Sequence, residues 1–176
     1  MEINSSAVSY RSHLQQHFSN GRRTLIGLVV LTVVNLGLLL TNGDLYLLFS
    51  ASVPYYLTWL GKAMDNGFAA AVWTENGVFT ATGLIIGVVI LAVYFLFWVL
   101  SAKNGAWLWG ALVLLGLDLL ALVGVSTLVL EGLGSTLVDI LIHIVAIYQI
   151  GKAAASWKKL QSLPPEVSYT VVTDDL

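Results

Sequence analysis

The chain has 176 residues, 57% of them hydrophobic and only 10% charged, and a formal net charge of -2. That length suits one domain, and the charged fraction lies far below the roughly 25% of soluble domains, so the composition fits lipid better than water. The small net charge argues against a nucleic-acid partner, and the lack of cysteine excludes disulfides, thiolate nucleophiles, Cys-based zinc sites and iron–sulfur clusters.

Residues 1–23 form a polar lead in which Tyr10, Leu14 and Phe18 recur at helical spacing among Arg11, Gln15 and Gln16. This pattern predicts a short cytoplasmic helix lying in the interface plane. His13 and His17 share one face of it, but two imidazoles without a carboxylate make a poor metal site, so they read as interfacial histidines. Arg22 and Arg23 then lead into the first apolar run, 24–41, interrupted only by Asn35. The long polar lead favours an uncleaved signal anchor over a cleaved signal peptide.

Residues 45–60 read LYLLFSASVPYYLTWL, dense in aromatics and broken by Pro54. Such a segment suits the headgroup level, and three dispositions are open to it: spanning, re-entering or lying flat. Charge asymmetry decides the number of spans. Four spans put Arg11, Arg22, Arg23, Lys103, Lys158 and Lys159 in the cytoplasm with Lys152 at its boundary, and leave Lys62 with Asp44, Asp65, Glu75 and Glu131 outside. Five spans would move three of those lysines outside. The expectation is therefore a four-helix bundle with both termini cytoplasmic, and an outer loop over 42–77 that lies on or dips into the outer leaflet.

The remaining spans are expected at about 78–100, 106–130 and 134–151, closing a single membrane domain over 24–152. Gly83 and Gly87 form a GxxxG pair that admits close backbone approach, either within the bundle or to a second copy. Lys152, Trp157, Lys158 and Lys159 carry the last helix into the cytoplasmic headgroups, and Pro164 and Pro165 end it. The region 153–176 thus reads as a helix extension followed by an acidic, disordered tail. The sequon at Asn4, Ser5 and Ser6 falls on the cytoplasmic side, where it goes unused.

Asp118, Asp139 and His143, with Asn35 in support, are the informative residues. An Asp at the bilayer centre costs roughly 2.5–3.5 kcal/mol, so these side chains should face the interior of the bundle. Counting about 1.5 Å per residue places Asp118, Asp139 and Asn35 in one layer roughly 17–20 Å from the cytoplasmic end, with His143 one turn below Asp139. Thr136 extends the same stripe of the last helix. Two carboxylates this close cannot both stay ionised without a cation or counter-charge, which His143 supplies by taking a proton.

A proton relay, a cation or polar-ligand site, and an acid–base pair acting on lipid all fit that layer. Interhelical glue, worth about 0.6 kcal/mol per bond, fits it too, although Asn, Gln or Ser would serve without the ionisation penalty. Asp139 and His143 could share a metal ion with Asp118 as a third ligand; the spacing leaves its presence and identity open. No GxSxG elbow and no phosphate-binding loop occurs, so enzymatic function is the less favoured class, and no cofactor is expected.

The pieces FSASVPYYL and DILIHIVAIYQIGKAAASWKKL resemble small multi-spanning membrane proteins of unknown function from Gram-positive bacteria. The resemblance covers about half the chain and implies a bacterial plasma membrane and no particular activity. The leading expectation is a small inner-membrane transport or ligand-binding module, working as a homo-oligomer or in a larger complex with membrane lipids around it. A non-catalytic accessory or assembly subunit is the alternative, and an intramembrane enzyme acting on lipid the third.

Overall fold

No proline falls between residues 3 and 40, and nothing else there interrupts a helical ladder. In the computed structural model, which describes residues 3–41, 46–72, 77–128 and 136–164, this stretch is one helix, α1 (Ile3–Leu40). The separate interfacial helix expected over 1–23 is thereby corrected. Its apolar side finds protein: Leu14 is buried, and Phe18 packs on Trp157 with 5.1 Å between ring centroids. Gly21 permits this, because any Cβ there would run into Ala153 and the Gln149 carbonyl. At 38 residues, or about 57 Å, α1 is nearly twice as long as a hydrocarbon core is thick.

Four more helices follow: α2 (Ser52–Val72), α3 (Val78–Ser101), α4 (Trp107–Leu128) and α5 (Leu137–Ser162). The described residues contain no strand. Helices α1, α3, α4 and α5 are long and apolar enough to cross a membrane, consistent with an all-α membrane bundle of four candidate spans. Their outer faces show Ile85, Val89, Val113, Leu117 and Leu120. The tail from Glu166 to Leu176 and the loop carboxylates Asp44, Glu75 and Glu131 lie outside the described residues.

Helix α2 occupies most of what the sequence presents as the outer loop. Pro54 does not break it. It stands in the first turn, where no intrahelical partner awaits its missing N–H. Residues 46–51 run back beside α1, with Leu47 bonded to Asn35 and Ala51 to Thr32, so α2 starts midway along the bundle. It then runs antiparallel to α3 in backbone contact, Pro54 at Gly87, Leu57 at Gly83 and Gly61 at Phe79. Gly83 and Gly87 thus serve a helix of the same chain. Because Gly87 is the tenth residue of α3, α2 begins about 14 Å from the N-terminal start of that helix.

The two ends of the bundle differ in charge. At one end Arg22 donates to Ser101 Oγ at 3.0 Å and to the Trp98 carbonyl at 3.3 Å, and Arg11 donates to the Pro164 carbonyl. The start of α1 therefore meets the ends of α3 and α5 at the basic end. At the other end Lys62 donates to the Leu39 carbonyl at 2.7 Å, while Asp65 accepts from the Phe79 and Thr80 amides at 3.2 and 2.7 Å. Between the basic end and mid-bundle lies an apolar core that includes Leu25, Leu28, Leu108, Leu115 and Ile150.

Candidate functional site

A helix starting in the middle of a membrane bundle exposes N–H groups that have no water to bond. Here all four positions at the start of α2 are accounted for, three of them by hydrogen bonds. The Ala51 amide donates to Thr32 Oγ1 at 2.7 Å, Ser52 to Asp118 Oδ2 at 2.8 Å and Val53 to Asp118 Oδ1 at 2.7 Å, and Pro54 has no N–H. Asp118 of α4 thus acts as a borrowed N-cap for α2. A carboxylate at the positive end of a helix dipole gains up to about 2 kcal/mol in partly buried settings.

His143 of α5 meets the same carboxylate, its Nε2 lying 3.0 Å from Asp118 Oδ2. Its Nδ1 is 2.8 Å from the Asp139 carbonyl, and a carbonyl only accepts, so Nδ1 carries a proton. One further proton must lie between Nε2 and Oδ2. On nitrogen it makes an imidazolium–carboxylate pair, and on oxygen a neutral one. Both side chains are almost fully buried.

Asp139 opens a second branch. Tyr46 donates its hydroxyl to Asp139 Oδ2 at 3.0 Å, Ser50 reaches the Tyr46 hydroxyl at 3.2 Å, and Asn35 Nδ2 donates to Ser50 Oγ at 2.8 Å. Asn35 also holds both backbone groups of Leu47. Asp139 Oδ1 lies 3.5 Å from His143 Nδ1, and among the described residues neither this oxygen nor the fully buried Tyr94 hydroxyl has a hydrogen-bond partner. Phe49, within this segment, holds a left-handed φ of 69°, strained for a residue with a side chain.

The structure therefore joins Asp118, Asp139, His143 and Asn35 into one network. Thr136 stands buried at the N-cap of α5, one turn from Asp139. Thr32, Tyr46, Ser50, Ser52 and Tyr94 belong to the layer as well and are not singled out by the sequence. The signal for Ser52 lies in Ser-Val-Pro, a helix-start pattern that reads equally well as a break.

The chemistry of this layer is restricted by what its atoms already hold. Asp118 directs both oxygens at amide hydrogens, which leaves a cation little to bind. Among the described residues no group of three or more His, Asp or Glu side chains is placed so that it could hold a metal ion. Ser52 Oγ is 3.4 Å from His143 Nε2, the outer limit of a nucleophile–base contact. Asp118 is nearer to that nitrogen, and it also holds the amides that would stabilise an oxyanion. What the arrangement can do as it stands is hold and exchange a proton.

No protein-family model, curated protein or solved structure matches the chain. The class is set by its helices and its site: a membrane bundle with a buried, hydrogen-bonded carboxylate–histidine pair.

Proposed function

We propose that this protein is a small proton-binding module of a bacterial plasma membrane, serving transport or ligand binding, in which one proton resides on Asp118 and His143. The observation that carries this reading is the 3.0 Å contact between Asp118 Oδ2 and His143 Nε2, with Nδ1 already committed to a carbonyl. Ionisable groups inside a membrane mark proton or ion sites by default. Within the wider set of proton, cation or polar ligand, the amide bonds to Asp118 favour the proton.

The basic end is read as cytoplasmic by the positive-inside rule, which puts both termini inside and makes 46–72 a re-entrant segment that enters and leaves on the outer side. Half-buried Tyr46, through Asp139, then links the pair towards the outside. Leu25, Leu28, Leu115 and Ile150 close the cytoplasmic half. One-sided access suits binding and release, with passage left to an oligomer or a larger complex.

An acid pulse to proteoliposomes first equilibrated at alkaline pH, where the pair has given up its proton, tests this. Proton uptake on the pair is expected from the side bearing Lys62 and Asp65, and is lost in Asp118→Asn and His143→Ala. Uptake that is absent from both sides, or unchanged in these variants, would overturn the proposal. A purely structural role as an accessory subunit is the second reading, favoured by how many of the layer's polar atoms are spent in seating α2.

A further inference from the structure

Between α2 and α4 runs a cavity of about 180 Å³, lined by Val53, Tyr56, Leu57, Trp59 and Leu60 of α2 and by Ala121 and Val125 of α4. Its surface is almost wholly apolar, and it is open along one side. We propose that this groove is a binding site for one acyl chain of a bilayer lipid.

Shape, chemistry and position favour that occupant. From Val53 to Leu60 the groove follows α2 for seven residues, about 10 Å, parallel to the helix axes and so to the chains of a surrounding bilayer. Its volume falls below the roughly 300–1,000 Å³ of sites that enclose a compact small molecule, and suits a slender hydrocarbon. The open side continues into the lipid-facing surface, where Leu60 is 49% exposed and Leu117 and Leu120 on α4 are 57% and 68% exposed. An apolar slot on that surface offers packing contact to a chain and nothing to a polar headgroup. A transmembrane helix is about 10 Å across and would enter only by a side chain.

Val53 belongs both to the groove and, through its amide, to Asp118, so an occupied groove braces the turn that the carboxylate caps. The lipid site itself rests on the four candidate spans and not on the proton reading, so either can fail alone.

The test uses the full chain in vesicles of phosphatidylglycerol doped with the same lipid carrying brominated chains, which quench tryptophan on contact. The Trp59 signal is taken as the difference between the wild type and Trp59→Phe, and Trp109, on the exposed face of α4, reports bulk lipid. Half-quenching of Trp59 is expected at about threefold lower brominated fraction than that of Trp109. Ala121→Phe, which fills the groove, should abolish the preference, whereas Leu120→Phe on the neighbouring surface should leave it. Equal quenching of the two tryptophans in the wild type would overturn the proposal even if Ala121→Phe does not fold. So would a dimer in native mass spectrometry that Ala121→Phe dissociates, since the occupant would then be a second copy.

Discussion

Gly83 of α3 and Leu57 of α2 lie so close that a side chain at position 83 would take the place of the Leu57 carbonyl oxygen. The contact is backbone to backbone, so neither helix has a flexible side chain that can give way. Close approach of this kind is how membrane helices associate where no hydrophobic effect drives them together.

Gly83→Leu should therefore prise α2 from α3 and destabilise the protein by at least the roughly 1–3 kcal/mol typical of overpacking. Gly116→Leu is the control, because a Cβ there meets nothing within 4 Å. Unfolding in mixed micelles measures both. Equal stability of the two variants would show that α2 is not held this way.

The cap on α2 has a separate signature. Asp118→Ala leaves the Ser52 and Val53 amides unbonded in the bundle interior, at about 1–3 kcal/mol each. Asp118→Asn keeps one acceptor and should fall between that variant and the wild type. Hydrogen exchange at these two amides is expected to accelerate in the order wild type, Asn, Ala, with Leu91 in the core of α3 little changed. Exchange that is indifferent to residue 118 would contradict the cap.

At the end of the bundle bearing Lys62, Asp65 gives a pH dependence. The Thr80 hydroxyl, 2.6 Å from Oδ2, holds its carboxyl below the usual value, with the Thr80 and Phe79 amides adding to the effect. A folded pKa below the unfolded one means the bond contributes above the unfolded value of about 3.8 and is lost as pH falls through the folded value. Spin labels on α2 and α3 should thus report a stable separation at neutral pH that loosens in acid. In Asp65→Asn the separation should be independent of pH over the same range.

Much of this was legible in the sequence. The four spans follow from apolar runs long enough to cross a bilayer, and the layer of Asp118, Asp139, His143 and Asn35 from helical rise alone, since depth along a straight helix is a matter of counting. Helix α2 was hidden because its defining partners are remote. Asp118 stands 66 residues from Ser52, and no local signal tells a proline that breaks a helix from one that begins it. The N-terminal helix failed for a related reason. The pattern of Tyr10, Leu14 and Phe18 shows an apolar side, but not that Trp157, instead of lipid, would cover it. The hydroxyls of Tyr46 and Ser50 acquire meaning only once the chain has turned back along α1.

The proposal that Asp118 and His143 share a proton is tested most directly by ¹⁵N NMR of the His143 imidazole in bilayers. Recorded from about pH 5 to pH 11, which covers ordinary and strongly shifted histidines, the wild type should show one protonation step. In Asp118→Asn that step should move by about one pH unit or more. An imidazole that never titrates over this range, or that titrates identically in both proteins, would contradict it.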